Sequence, residues 1–450
     1  MKMKIKINSL LLSCAFLLTP AMAGAAEDTD SIQFNQEGKT EQSTPRKSRL
    51  TLGGYGEAVM VRNMYSDNWK RYSKPELYNN DDSHGRFDLP HVVLFVGYDF
   101  GKGWSMGSEI EFEHGGTESA VEIEEEETGE YESEIERGGE VALEQFWLQK
   151  SFSPSANLRL GHMVVPVGLT NCHHNPTEFF GTYRPEGEST IIPCTWHETG
   201  ISFWGRTKDW RYEAMFIAGL DADRFGHKNW IKGGAGSPYE FKIANAYAGV
   251  LRVDNYSFKG LRMGISGYVG NSASNTLKKT KKNQGLHGTV LLGSFDYDYK
   301  SKNENFITRG SILYGHLTNS GEISEANQAL KGYGISPGTA VASDAISAGI
   351  ELGYDMFSFN SKLREKNQKL YLFSRYDYYD SMLKMGKNSK GQKLMDTRWT
   401  KRQRVAVGLN YKPLKEIVIK AEYSTRLFDS PYNNEPSISL GVAYSGIFIK

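Results

Sequence analysis

Cysteine is nearly missing from this chain: three residues in 450, at Cys14, Cys172 and Cys194. A fold stapled by several disulfides is therefore excluded. Charge of one sign is missing too, with 53 basic against 53 acidic residues and a net charge of zero. That balance gives no basic surface for a nucleic-acid partner. Past the first two dozen residues no run of about eighteen apolar residues occurs, so no helix reads as membrane-spanning. The GxSxG, HExxH and P-loop patterns are all absent, and no enzyme, cofactor or dedicated metal site is expected. Nor do buried helices alternate with strands as βαβ units would require.

What is present begins with an export signal. Lys2, Lys4 and Lys6 precede a short apolar run from Ser9 to Pro20, and Ala21-Met22-Ala23 supplies a small-x-small cleavage pattern. Residues 1–23 read as a secretory signal peptide. Cys14 lies midway through the apolar run, which does not suit a lipoprotein. Residues 24–49 are polar and without periodicity, and read as a flexible periplasmic segment.

From residue 50 onward the repeated signal is alternation with period two. Trp104, Met106, Ser108, Ile110 and Phe112 share one face, while Ser105, Gly107, Glu109, Glu111 and Glu113 share the other. Ile346 to Tyr354, Val405 to Tyr411 and Ile417 to Tyr423 repeat the pattern. Sixteen strands are predicted, at 50–62, 86–99, 103–114, 140–152, 156–165, 199–206, 209–219, 240–254, 258–269, 287–299, 305–317, 342–355, 368–380, 400–412, 415–427 and 436–449. Short turns, such as Ser153-Pro154-Ser155 and Asn255-Tyr256-Ser257, alternate with long connections. Aromatic residues bunch beside the short turns, as at Tyr98, Phe100, Trp204, Trp210, Tyr297 and Tyr299. Short turns on one rim and long loops on the other are the mark of an all-β, transmembrane, antiparallel up-and-down barrel of about sixteen strands, here over 50–450. Apolar faces would meet lipid and polar faces would line the lumen. The last strand, Ile438 to Phe448, carries an apolar stripe of the kind read by barrel-insertion machinery.

Two long loops stand out. Residues 117–139 hold ten glutamates and one arginine, Arg137, and alternate around Thr128-Gly129 like a protruding hairpin. It is read as a solvated acidic surface, with binding of divalent cations, of lipopolysaccharide through bridging cations, or of a neighbouring subunit as the sharper alternatives. The third long loop, 166–198, is the candidate constriction, since third loops of large barrels commonly fold inward. Its candidate pore residues are Arg184, Glu178, Glu186, Glu188, His173 and His174. Cys172 and Cys194 flank the loop and read as a disulfide in an oxidising compartment. A zinc site from Cys172, His173, His174 and His197 competes with that reading, without the usual paired spacing.

The segment Leu160-Gly161-His162-Met163-Val164-Val165-Pro166-Val167-Gly168-Leu169, followed by Glu178-Phe179-Phe180 and Thr199-Gly200-Ile201, resembles the phosphate-selective porin O/P family. The resemblance implies a sixteen-stranded homotrimer in the outer membrane of a Gram-negative bacterium, among its lipids and lipopolysaccharide. It also implies phosphate conduction past arginines and lysines, but Val164 and Val165 stand where a lysine is usual. Alternation assigns Arg159, Arg211, Arg262, Arg309, Arg375, Arg404, Lys420 and Arg426 to the lumen. It equally assigns Glu57, Glu109, Glu111, Glu113, Glu213, Glu351, Asp377 and Glu422. A wall of both signs favours passive diffusion of ions and small hydrophilic solutes. An anion-selective channel and a loop-plugged barrel serving as a surface adhesin or assembly platform are the alternatives.

Overall fold

Every strand in this chain pairs with its sequence neighbour, and the last pairs with the first. The computed structural model describes residues 49–125, 131–236, 242–276, 285–331, 336–394 and 398–449, so the signal-peptide reading and nearly all of the 24–49 reading lie outside the described residues. The strands are β1 (Leu50–Asn63), β2 (His84–Asp88 and His91–Gly101), β3 (Trp104–Glu125), β4 (Tyr131–Ser153), β5 (Ala156–Val164), β6 (His197–Arg206), β7 (Trp210–Ala218) and β8 (Tyr247–Phe258). They continue as β9 (Leu261–Asn271), β10 (Thr289–Lys300), β11 (Phe306–Leu317), β12 (Asp344–Asp355), β13 (Lys369–Lys384), β14 (Lys401–Leu414), β15 (Ile417–Leu427) and β16 (Glu435–Ile449). Both halves of β2 pair with β1, and Leu89-Pro90 separates them, since proline has no N–H to give the ladder. Counted so, sixteen antiparallel strands close where β1 meets β16, from Leu52 opposite Ile449 to Asn63 opposite Ser437. Among the described residues, closure leaves no edge to the sheet.

The two faces differ in kind. Outward, large apolar side chains stay exposed on strand after strand: Leu94, Phe146, Leu160, Phe203, Phe216, Leu251, Ile265, Phe295, Ile312, Leu352, Val407 and Leu440 among them. Such a continuous apolar surface has no place in water and suits a hydrocarbon layer. Inward, charged side chains are buried: Glu57, Glu109, Arg159, Arg211, Glu213, Arg262, Arg309, Glu351, Arg375, Asp377, Lys420 and Glu422.

The inward face is itself divided, which period-two alternation does not reveal. Near the short turns β7 to β11 carry Arg211, Glu213, Arg252, Asp254, Arg262, Asp296 and Arg309. Near the long loops the same strands carry Met215, Ile217, Ala248, Val250, Tyr268, Val290, Leu292, Leu313 and Leu317. Against this apolar wall pack Leu220, Phe225, Trp230 and Ile231 from the loop after β7, and Ile323 of helix α2 (Ser320–Gln328). Trp230 is fully buried and its indole N–H donates to the Ala342 carbonyl at 3.0 Å.

Two boundaries depart from the sequence expectation. The turn placed at Asn255-Tyr256-Ser257 forms instead at Lys259-Gly260, where Gly260 adopts φ +73°. Asn255 and Tyr256 remain in β8, because glycine, not the Asn-Tyr-Ser polarity, permits the left-handed residue the turn needs. The strands expected at 103–114 and 140–152 run on into the acidic segment, which pairs as the expected hairpin from Glu118 opposite Gly138 to Glu125 opposite Tyr131.

Candidate functional site

The segment between β5 and β6 folds into the barrel and crosses it. Its neck is closed by the Val165 N–H donating to the Trp196 carbonyl at 2.8 Å. The Asn171 amide also donates to the Val165 carbonyl at 2.6 Å and to the Trp196 carbonyl at 3.2 Å. Cys172 and Cys194, expected as a disulfide, are not joined. Asn171 already clamps the neck, while the two thiols face different charges: Arg252 and Asp296 beside Cys172, Arg184 and Lys232 beside Cys194. Burial pushes the Cys172 thiol up to about 12 and the Cys194 thiol to about 11, so neither presents a thiolate at neutral pH.

On the near wall, Gly168 takes φ +80° and its carbonyl accepts from Arg252 of β8 at 3.0 Å. Glu188, in helix α1 (Glu186–Ile191), folds back to accept the Leu169 and Thr170 N–H groups at 3.1 and 2.7 Å. Burial raises its carboxyl, offset in part by those donors and Ser311.

On the far wall the contacts are as dense. Arg309 donates to the Glu178 carbonyl at 2.6 Å, and Lys420 to the Phe179 and Gly181 carbonyls at 2.9 and 2.7 Å. The Thr182 N–H donates to Glu422 at 3.1 Å, Asn175 reaches Ser445 at 2.6 Å, and Tyr183 donates to Asp88 at 2.9 Å. Phe180 stacks on Phe373 with centroids 5.5 Å apart. Glycine suits position 181, since a Cβ there would lie 2.9 Å from the Tyr183 backbone carbonyl oxygen and would also displace the Arg375 guanidinium.

Glu186 anchors the tip. Arg404 meets it at 2.8 Å, Arg426 at 2.7 Å and Arg402 at 3.8 Å. Burial alone would raise the Glu186 carboxyl, but Arg426, Arg404 and Arg402 hold it well below the usual carboxylate range. Arg426 passes on to Glu435 at 2.7 Å, and Arg71 meets Glu435 at 2.9 Å. Water reaches this cluster: the Arg426 side chain is 25% exposed and that of Arg71 18%, against 2% for Arg252.

The inward charges are largely matched along the wall. Arg252 and Arg262 share Asp254 and Asp296 at 2.6–3.0 Å, and Arg211 meets Glu213 at 2.7 Å. Arg309 faces Glu351 at 3.3 Å, Arg375 faces Asp377 at 2.9 Å and Arg404 faces Glu422 at 3.1 Å. Arg159 instead binds Gln149 and lies 4.3 Å from the Trp147 ring centroid. A cavity remains between loop and wall, bounded by Thr170, Glu188, Arg309, Glu351, Arg375 and Asp377.

The four residues of the zinc reading are not gathered. His173 pairs with Glu178 at 3.6 Å and His197 with His162 at 2.5 Å, while His174 joins Glu109 and Glu144. Burial, with Arg184 beside it, lowers the His174 imidazole to about 4, and burial with Arg262 and Arg309 holds His173 well below its ordinary value. A second grouping, His91, Glu111 and Glu113, adjoins the first; Arg184 sits 3.8 Å from Glu111 and donates to Thr195 at 2.9 Å. Sequence reasoning missed Arg252, Asp254, Asp296, Arg402 and Glu435, although all but Glu435 occupy inward positions of clearly alternating strands. It missed Glu144 for a different reason, a β-bulge that breaks the alternation.

A closed sixteen-stranded barrel with an apolar outer belt, a charged interior and one loop pinned across it is the class this geometry defines. No family model matches the chain. A protein of Aquifex aeolicus (strain VF5), itself uncharacterised, is 32% identical over 177 residues, 39% of this chain and 34% of that protein. The chain thus matches about a third of that relative's length. Similar solved structures include an anion-selective porin from Comamonas acidovorans, with 10% identity over 88% of this chain and 99% of that one and a TM-score of 0.49. The outer membrane channel DcaP of Acinetobacter baumannii is 12% identical over 89% of this chain and 99% of that one, at 0.48. Pseudomonas putida OprB at high pH is 8% identical over 88% and 94%, at 0.49. At such identities and scores these likenesses assign no function.

Proposed function

We propose that this chain is an outer-membrane porin, through which ions and small hydrophilic solutes diffuse passively down a barrel narrowed by its third loop. One observation carries the reading: the loop after β5 crosses the interior and is tied to the opposite wall at Arg404, Lys420, Glu422 and Arg426. A loop held on both sides leaves its opening beside it and not through it. The water-touched sector around Glu186, Arg426 and Arg71 is where that opening fits. The apolar outer belt supports a bilayer setting, and a protein there would reach it through an export signal and barrel-insertion machinery. Trimeric assembly, contact with lipopolysaccharide and membership of the phosphate-selective family belong to the same proposal and rest on the resemblance alone.

Paired charges of both signs favour weak selectivity. Arg402, Arg404 and Arg426 would make a phosphate-attracting cluster, but Glu186 occupies it. A second reading, a barrel closed by its loops, draws on the apolar packing inside β7 to β11. Single-channel recording of the purified chain in planar bilayers tests both. Ohmic steps with a small zero-current potential in a salt gradient are expected. A strong anion preference would overturn weak selectivity, and the absence of any conductance would favour the closed barrel.

A further inference from the structure

Between the third loop and the wall lies a group of buried side chains that the transport reading does not use. Glu109 is on β3 and Glu144 on β4, while His174 comes from the loop. One ligand atom from each lies within 4.8 Å of the others, and all three side chains are buried. The register explains how Glu144 gets there. Glu109 pairs with Gln145 and Ile110 with Leu143, so Glu144 is the extra residue of a β-bulge and turns inward beside Gln145. Bulges commonly re-aim a side chain at a functional site. Gln145 in turn donates to Glu109 and fixes that carboxylate.

Three observations point to an ion. Glu144 is 0% exposed and neither of its oxygens has a hydrogen-bond partner of good geometry, with Glu111 and Thr195 alongside. An ionised carboxylate buried this way is costly unless a cation or donors meet it. His174 uses Nδ1 against the Asn171 carbonyl at 2.9 Å. A carbonyl only accepts, so Nδ1 carries the hydrogen and Nε2 keeps its lone pair, the form in which imidazole binds metals. Tyr55 packs edge-on to the imidazole with centroids 6.0 Å apart and holds the ring in place. The third is the crowding of carboxyl groups: Glu109, Glu111 and Glu144 gather around a single guanidinium, Arg184.

We infer that Glu109, Glu144 and His174 form a divalent-cation site that ties the third loop to the barrel wall. Two carboxylates and one imidazole, without thiolate, suit a first-row cation such as Mn²⁺ or Zn²⁺. The inference rests on the loop's position and stands whether or not the barrel conducts. The test takes the full chain in detergent, strips it with a chelator and titrates it with Mn²⁺, with pulsed electron paramagnetic resonance to detect bound nitrogen. One Mn²⁺ per chain, with coupling to one imidazole nitrogen, is expected. His174→Gln should abolish the coupling and weaken binding about tenfold or more, and Glu144→Gln should weaken it similarly. Heat-dependent electrophoretic migration shows whether each variant still forms the barrel. Should a variant misfold, the wild-type stoichiometry and nitrogen coupling decide. No saturable Mn²⁺ binding, or binding without nitrogen coupling, would overturn the site. Coupling that survives His174→Gln and disappears in His91→Gln would also overturn it, by placing the ion on His91, Glu111 and Glu113.

Discussion

Along β7 to β11 the inward face beside the long loops is apolar, from Met215 and Ile217 to Leu313 and Leu317, and the loops are packed onto it. Along β14, β15, β16 and β1 the same face stays polar to the loop end, with Arg402, Arg426, Glu435 and Asn63. In the first sector contact excludes water, and burial of Trp230, Phe225 and Leu220 stabilises the loops without demanding directional partners. In the second, each charge must find a counter-charge or keep some water. Glu186, Arg404 and Arg426 do both, linked to one another and still touched by solvent, while the buried Glu435 is met by Arg426. One barrel thus holds a dry half that fixes its loops and a half that water still touches, the half through which the proposed passage would run.

The largest expected effect lies in the dry half. Trp230→Ala empties a fully buried site against Gly315, where a Cβ on the glycine would lie 2.1 Å from the indole. A loss of about 3–5 kcal/mol in unfolding free energy is expected, measured by denaturant titration in detergent. A near-neutral result would mean that the loops are not packed there, and the contrast between sectors would fail.

Next comes Glu186→Gln. It leaves Arg402, Arg404 and Arg426 without their shared carboxylate, at a cost of roughly 2 kcal/mol once its remaining water contact is allowed for. The functional change should be larger than the stability change: anion preference in zero-current potentials should rise several-fold, as the three arginines lose one negative charge among them while Arg404 keeps Glu422 and Arg426 keeps Glu435. Unchanged selectivity would place the opening elsewhere.

A pH series sharpens the same point. Because three arginines hold the folded Glu186 carboxyl below the usual range, its stabilising contribution is fully present above the ordinary carboxylate pKa of about 4 and is lost as pH falls below it. Conductance attributable to the loop should stay flat from neutral pH down to about 4.5. A step at mildly acid pH would show that some other group sets the loop's position.

The smallest effect concerns the thiols. Without reductant, Cys172 and Cys194 should both titrate as reactive thiols in denatured protein and react less in the folded protein. No thiol after denaturation would mean that the cysteines are bridged.

Period two was enough to read the sheet from the sequence. Sixteen strands, their antiparallel order and the inward placement of residues such as Arg309, Glu351 and Arg375 follow from alternation and turn spacing. The site was legible as a loop but not as an arrangement. Nothing local in Glu186 or Lys420 says that the two share the far wall with Glu422, because those contacts join residues more than 200 positions apart. Glu144 was hidden by the bulge, which shifts parity by one and turns an apparently outward residue inward. The dry half escaped notice for a simpler reason: at its loop end β10 is apolar on both faces, Val290 and Leu292 inward and Leu291 outward, and alternation says nothing about what covers an apolar inner face.

The most direct test of the two-sector account uses charged methanethiosulfonate reagents on single-cysteine variants in a Cys172→Ala/Cys194→Ala background, recorded in planar bilayers. Arg426→Cys should react and change the single-channel current within the recording, while Leu292→Cys should leave it unaltered. Modification at 292 with none at 426 would contradict the account, because solutes would then pass through the half assigned to loop packing.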